Sequence, residues 1–327
     1  MGHSAGGRLL PSARDGAQMS GRALVTGGAG FIGHHLAAAL LARGREVTVL
    51  DDLSVGTVER VPEGARLVVG DVRDPAKLAE ALEGVTDVFH LAAVVSVRAS
   101  FDGFVRDADV NLLGTLRLLE ALRGRGVERA VLASSMAVYA DGEAGAAIRE
   151  DHPTEPASPY GVAKLAAERY WHLVCPHLGV RGTVLRYFNT YGPGQTPTPY
   201  VGVITHFAER ILRGEPPVIY GDGEQRRDFV HVDDLVRATA SVLDHDVAGR
   251  TLNVGTGVAT SVNEVARALL ALLGSELEPR YAPTVPGELR HAVADIGAAR
   301  EALGYRPSRP ALDPSSVVEA LRRSTTR

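Results

Sequence analysis

VTGGAGFIG, residues 25–33, joins a short β-branched run to a long helical one and places glycines at 27, 30 and 33. The first glycine permits a tight turn, the second lets the backbone approach a pyrophosphate, and the third lets helix pack on strand. The helix N-terminus is then left facing the phosphates. Such a spacing is weak alone, but here the strand ALVT (23–26), the turn and the helix FIGHHLAAALLARG (31–44) follow in the required order. Gly27, Gly30, Phe31, Ile32 and Gly33 therefore form a candidate dinucleotide-binding loop.

Outward from this loop, EVTVL, RLVVG, DVFHL and RAVLAS alternate with helical stretches. Strand and helix in alternation predict βαβ units and an α/β fold with a doubly wound, Rossmann-type parallel sheet. Asp51 ends the second strand about twenty residues after the loop; a carboxylate there accepts hydrogen bonds from the adenosine ribose and repels a 2′-phosphate, so NAD is expected rather than NADP. Asp71, with Val72 beside it, ends the next strand, where its side chain either reaches the adenine or serves a turn. DADVNLLGTLRLLEALRGRG reads as one helix with Val110, Leu113 and Leu116 to Leu119 on one side. After Arg186 proline and glycine become dense and the alternation fades. Residues 20–186 are thus expected to bind the dinucleotide and 187–327 mainly to form a smaller substrate lobe, with TLNVG (251–255) a candidate strand returning to the first sheet.

The 327 residues are 45% hydrophobic and 23% charged, an ordinary globular composition. A formal net charge of −4 with scattered arginines gives no electrostatic case for nucleic acid. One cysteine, Cys175, excludes an internal disulfide, lacks neighbours at metal-ligand spacing and suits a reducing cytoplasm. No stretch reaches the ~18 unbroken apolar residues that a membrane span needs. Residues 1–19, rich in Gly, Ala and Ser, read as a flexible extension, with Met19 an alternative start.

SPYGVAKLAAERY, residues 158–170, sets Tyr160 and Lys164 one helical turn apart, so that a phenol and an ammonium share a face. Taken alone the pair also reads as two exposed side chains on a solvated helix. The strand at 129–133, however, ends in SSMAVY, which brings Ser134 and Ser135 to the carboxyl edge of the sheet, where doubly wound folds bind ligands.

With TGGAGFIG, the LAA of Leu91, Ala92 and Ala93, SSMAVY and YGVAK, the chain resembles the extended short-chain dehydrogenase/reductase family, and the likeness continues through RYFNTYGP, GDGEQRRDFVHVDD, NVGTG and PGELRHAVAD. Within it the chain is most similar to NAD-dependent sugar-nucleotide epimerases and dehydratases. The resemblance implies that Leu91, Ala92 and Ala93 line the cofactor, that Tyr160 removes the proton of a sugar hydroxyl, and that Ser135 hydrogen-bonds the same oxygen. Lys164 is implied to hold the nicotinamide ribose and, with the nicotinamide cation, to favour the phenolate near neutral pH. The family's dimers pair through helices that the apolar positions of 107–123 permit, so a homodimer is expected.

Relatives that eliminate water place Asp and Glu directly after the serine; here stand Met136 and Ala137, which cannot move a proton. Inversion at C4, a 4-epimerisation through a 4-keto sugar, is therefore the expected reaction. The alternatives are a glucuronate epimerase, a dehydratase or decarboxylase, or a non-catalytic NAD-binding protein. By the same resemblance Asn189, Arg227 and Arg290 contact the nucleotide diphosphate and Tyr220 lines a uracil site, which makes a UDP-hexose the expected substrate. Ala292, small where some relatives carry a bulky residue, is expected to admit an N-acetyl group. Glucuronate epimerases tend to carry Thr at the position of Asn189 and Arg at that of Thr196, and neither is present. Two departures from the family pattern are Ala140 after VY and Gly194 where many relatives carry Arg.

Overall fold

A computed structural model describes residues 21–196, 202–284 and 289–325; the extension at 1–19 and parts of the 191–200 and 286–295 motifs lie outside the described residues. The glycine loop links β1 (Arg22–Thr26) to α1 (Phe31–Ala42), and β2 (Glu46–Asp51) follows. Then come β3 (Arg66–Val69), α2 (Pro75–Ala81), β4 (Val85–His90), α3 (Val97–Asp102), α4 (Phe104–Ala108), α5 (Gly114–Ala121), β5 (Arg129–Ser135), α6 (Pro159–His177) and β6 (Arg181–Tyr187). The start of α6 is set locally: Ser158 Oγ accepts from the Gly161 amide at 3.1 Å, and Pro159 occupies the first helical position, where its missing N–H costs nothing.

The remaining chain supplies β7 (Asn189–Tyr191), α7 (Val203–Leu212), β8 (Val218–Tyr220), β9 (Arg226–Arg227), β10 (Phe229–His231), α8 (Val232–Ser241), β11 (Thr251–Val254), β12 (Thr260–Ser261), α9 (Val262–Leu273), β13 (Arg280–Ala282) and β14 (His291–Ala292). Seven strands form one parallel sheet in the spatial order β3-β2-β1-β4-β5-β6-β11. The winding direction reverses between β1 and β4, which opens the ligand crevice beyond their carboxyl ends. The sheet does not stop at residue 186, because β11 pairs along β6 from Thr251 to Val254. Short sheets of two or three strands, β7 with β10, β8 with β13, and β12-β9-β14, organise the later segments.

Both faces of the large sheet are covered, as a parallel sheet requires. On one face Leu36, Leu40, Leu235 and Leu243 pack over Val25, Val49 and Val131; on the other Leu78, Leu118, Leu119 and Trp171 pack over Leu24, Val88 and Leu132. A third cluster, including Tyr191, Phe207, Val265 and Leu269, holds the later elements.

The stretch read as a single helix from Asp107 is helical throughout but contains a π turn: α4 ends at Ala108, residues Asp109–Leu113 form the wider turn, and α5 begins at Gly114. The face turned to the core is Asp107, Asn111, Thr115 and Leu118, spaced at four, four and three residues, so Leu113, expected on the apolar side, is exposed.

Candidate active site

The glycine loop has the form of a cradle. Gly27 has φ +71°, and a methyl group on it would sit 2.8 Å from the Ala92 amide nitrogen; one on Gly33 would lie 2.0 Å from the Gly27 carbonyl oxygen. Gly30 is the N-cap of α1 and no side chain caps that end, so Phe31 and Ile32 offer the first turn of the helix to an anion. Leu91, Ala92 and Ala93 run alongside: Leu91 N donates to Thr26 O at 3.1 Å and Ala92 N to Thr26 Oγ1 at 3.2 Å. This concave backbone fits a dinucleotide pyrophosphate.

Asp51, 8% exposed, both caps this loop and ends β2. Its carboxylate oxygens accept from Ala29 N and Leu53 N, each at 2.9 Å. Each oxygen keeps a second lone pair for a ribose hydroxyl, so the turn-capping and ribose-binding readings coexist. Asp71 is more fully committed. It accepts from the Arg73 amide at 2.7 Å and pairs with the Arg73 guanidinium at 2.5 Å, which lowers its pKa, and Arg73 in turn bonds Asp109. Val72 is buried in the core beside it.

Tyr160 and Lys164 are 6% and 3% exposed, which excludes the solvated-helix reading. Gly161 is what brings them in: a methyl group there would stand 2.2 Å from the Ala137 carbonyl oxygen, so only glycine lets α6 rest on the turn that carries Ser135. The Ser135 hydroxyl accepts from Ala137 N at 3.2 Å and lies near enough to Tyr160 to favour its ionised form; Lys164 Nζ donates to Ala133 O at 3.0 Å. Phenol, hydroxyl and ammonium thus converge at the carboxyl end of β5.

The expected phenolate relies on the nicotinamide cation as well as on Lys164, and the chain without that cation disfavours it. Burial pushes Tyr160 up to about 12, the neighbouring Ser135 hydroxyl opposes this, and the charge of Asp107 adds to it. Burial likewise brings Lys164 down to about 8, against the pull of Asp107 and then Glu168. Desolvation is the larger effect at both groups, so the folded chain alone stores the proton on Tyr160.

Two carboxylates behind this pair were missed by sequence reasoning. Glu168, one helical turn after Lys164, bonds Arg186 at 2.9 and 2.7 Å and accepts from Ser134 at 2.5 Å. Its spacing from Lys164 was a usable signal, because residues four apart share a helix face. Asp107 lies on α4, on the face that Asn111, Thr115 and Leu118 continue into the core.

The expected substrate residues divide. Asn189 begins β7 with its amide oxygen buried and without a hydrogen-bond partner. Arg227 is buried on β9, where its guanidinium donates to Arg226 O at 3.0 Å. Tyr220 is exposed at the end of β8 with the Arg98 guanidinium 4.4 Å over its ring. Arg290 is exposed and paired with Asp222 at 3.0 and 2.7 Å, and this ion pair draws Asp222 down to about 2. Ala292 is fully buried on β14 among core side chains, with His291 beside it half-buried. Gly194 packs against the His34 ring, and its loop is tied down by His35 to Pro193 O at 2.9 Å and Arg60 to Thr196 Oγ1 at 3.0 Å.

A doubly wound sheet with a dinucleotide cradle at its switch point and a Ser-Tyr-Lys constellation beside it defines a cofactor-dependent enzyme acting on a polar small molecule. A family model described as "NAD dependent epimerase/dehydratase family" matches residues 23–255, and the chain belongs to that family. It is 40% identical over 301 residues, 88% of this chain and 93% of the relative, to a UDP-glucose 4-epimerase of Mycolicibacterium smegmatis. Among solved structures, the UDP-glucose 4-epimerase of Thermotoga maritima with UDP-glucose superposes with a TM-score of 0.89 at 37% identity, covering 93% of this chain and 99% of that one. MoeE5 in complex with UDP-glucuronic acid and NAD gives 0.86 at 39% identity, covering 93% and 100%. NAD is accordingly the cofactor that the cradle and Asp51 fit.

Proposed function

We propose that the chain is a 4-epimerase of UDP-hexoses, interconverting UDP-glucose and UDP-galactose. The observation that carries this reading is that Ser135 and Tyr160 converge at a sheet edge where Met136 and Ala137, the next two residues, hold no proton-transfer group. Tyr160 accepts the proton of the sugar 4-hydroxyl, Ser135 holds that oxygen, and the Lys164 ammonium stabilises the charge on the phenolic oxygen. Bound NAD supplies an electron-pair acceptor for C4 and a positive charge beside the phenol. The ketone has no acid or base at positions 136 and 137 to eliminate water, so it would turn over, present its other face to the hydride taken from C4, and recover at its oxygen the proton held by Tyr160. Asn189 and Arg227 are proposed to meet the diphosphate and Tyr220 the base; Arg290 does so by exchanging Asp222 for phosphate.

The test is to incubate the purified protein with UDP-glucose, without added cofactor, and to resolve the product. A product of unchanged mass that co-elutes with UDP-galactose is expected; loss of water or carbon dioxide, or no conversion, overturns the reading. The second reading, favoured by the likeness to MoeE5 with UDP-glucuronic acid, predicts that UDP-glucuronic acid turns over faster than UDP-glucose in the same assay.

We further propose a homodimer. Phe104, Val105, Leu113, Val162 and Leu173 are exposed apolar side chains on α4, the π turn and α6, a concentration of apolar surface suited to an interface. Sedimentation velocity should give a dimer, and Leu173→Glu, which puts a charge on a side chain 75% exposed in the monomer, should give a folded monomer. A monomeric parent protein would refute the assignment. Among the described residues no helix is long and apolar enough to cross a membrane, and the buried Cys175 suits a cytoplasmic setting.

A further inference from the structure

We propose that Asp107 is a positioning residue of the active site, a fixed counter-charge behind the Tyr160 and Lys164 pair that keeps the lysine an ammonium during turnover. The inference rests on the epimerase reading above, and it begins from an anomaly of burial.

Asp107 is 2% exposed; one carboxylate oxygen accepts from Asn111 Nδ2 at 3.0 Å, and the other is sealed from solvent without a hydrogen-bond partner. It forms no ion pair within 4.0 Å among the described residues. A buried carboxylate left this way is costly unless an opposite charge lies in reach. The bond to Asn111 does not require a carboxylate, because an amide or hydroxyl oxygen would accept it equally well. The negative charge therefore has another use.

The packing points to that use. α4 and the π turn lie directly against α6, and the charge of Asp107 acts on both Lys164 and Tyr160 across that contact. Lys164 makes a single hydrogen bond among the described residues, to Ala133 O, so most of its charge is left to be balanced through space. Charged and titratable groups face it from each neighbouring element. Glu168, on its own helix, is tied to Arg186 of β6 and Ser134 of β5. His90, on β4, is held neutral by burial with a pKa of about 3 and hydrogen-bonds Thr26 and Thr115. Tyr160 carries its proton. Asp107 alone among them is a carboxylate with no paired cation; burial raises its pKa, and the Asn111 bond and the charge of Lys164 oppose that rise.

Its position is rigid. Asn111 is anchored to the backbone of Val94, accepting from its amide and donating to its carbonyl, each at 3.0 Å. The carboxylate is thereby held in register with the segment that runs along the dinucleotide cradle. The residue type at 164 also matters: the chain has thirty-three arginines and two lysines, Lys77 and Lys164. Lys77 is a surface residue paired with Glu80, so the one buried lysine stands where a titratable cation acts. With Lys164 already down at about 8, loss of a neighbouring negative charge lowers it further, toward the pH at which the enzyme works.

The experiment compares the parent protein with Asp107→Asn and Asp107→Glu, measuring kcat for UDP-glucose as a function of pH, KM, bound NAD and the melting temperature. Removing the negative charge lowers the pKa of both Lys164 and Tyr160, so the whole profile of Asp107→Asn should move to lower pH by about 1 unit. Its alkaline activity should fall about tenfold relative to its neutral activity, with KM and bound NAD unchanged, while Asp107→Glu keeps the parent profile. With only two lysines, the Nζ of Lys164 can be followed by heteronuclear NMR after isotopic labelling of lysine, and its midpoint should fall in Asp107→Asn. That readout holds even if UDP-glucose is not turned over, which would refute the epimerase reading and leave the counter-charge on trial. An unmoved profile with an unmoved Lys164 midpoint overturns the proposal, whatever happens to kcat or melting temperature. If the asparagine variant does not fold, Asp107→Ser supplies the neutral side chain, and the same outcomes apply.

Discussion

Tyr160→Phe is expected to lower turnover of UDP-glucose by about 10³-fold while leaving the protein folded and loaded with NAD. The substitution removes one oxygen and keeps the ring that fills the space between α6 and the Ser135 turn, so packing is preserved. It deletes the only group in that stretch placed to take and return the proton of the sugar hydroxyl. Lys164 cannot substitute, because its ammonium is held 3.0 Å from Ala133 O and acts as a charge, and Ser135 alone has no partner to take its proton. Turnover is read by chromatography of the UDP-sugar, and NAD by its release on denaturation. A phenylalanine variant within tenfold of the parent would remove Tyr160 from the chemistry. A variant that retains NAD but has no turnover also separates the enzyme from a non-catalytic dinucleotide-binding protein, for which this side chain is dispensable.

The largest effect on stability is expected at Glu168. Glu168→Ala leaves the Arg186 guanidinium, which is 5% exposed, without its carboxylate, and frees the buried Ser134 hydroxyl at the same time. Breaking a buried pair from one side costs about 3–5 kcal/mol, because the surviving charge remains desolvated. Arg186 keeps one bond to Glu150 O and its place 4.6 Å over the Tyr139 ring, which offsets only part of this. Equilibrium denaturation in urea should show a lower midpoint at unchanged slope. A loss below about 1 kcal/mol, the range of exposed pairs, would mean that water reaches the guanidinium.

What could be read from the sequence was whatever is written in local spacing. The glycine loop, Asp51 at a strand end, and Tyr160 with Lys164 on one helical turn each depend on a few consecutive residues whose geometry is set by backbone sterics. Lys164 and Glu168 lie four residues apart and were equally legible, but Arg186 comes from another strand, so the pairing that gives Glu168 its meaning was not. Asp107 was hidden for a different reason. A single helical period sets Asp107 and Asn111 on the face of Thr115 and Leu118, but the apolar residues Val110, Leu113 and Leu116 mark the opposite side, so the polar pair did not read as buried.

The return of β11 to the edge of the large sheet has a consequence for how this chain can be taken apart. Between β6 and β11 the chain leaves the dinucleotide-binding layer, builds β7 to β10 with α7 and α8, and comes back to pair with the strand it left. Residue 186 is therefore a change of texture and not a seam. A fragment cut there would end on β6 with its outer row of backbone donors and acceptors bare, an invitation to aggregation. Recombining the front half of this chain with the back half of a relative asks the donor to supply a strand that fits Val184 to Tyr187 as well as a binding surface. The piece that chooses the sugar and the piece that finishes the fold are carried by the same stretch of chain, and they have to be inherited together.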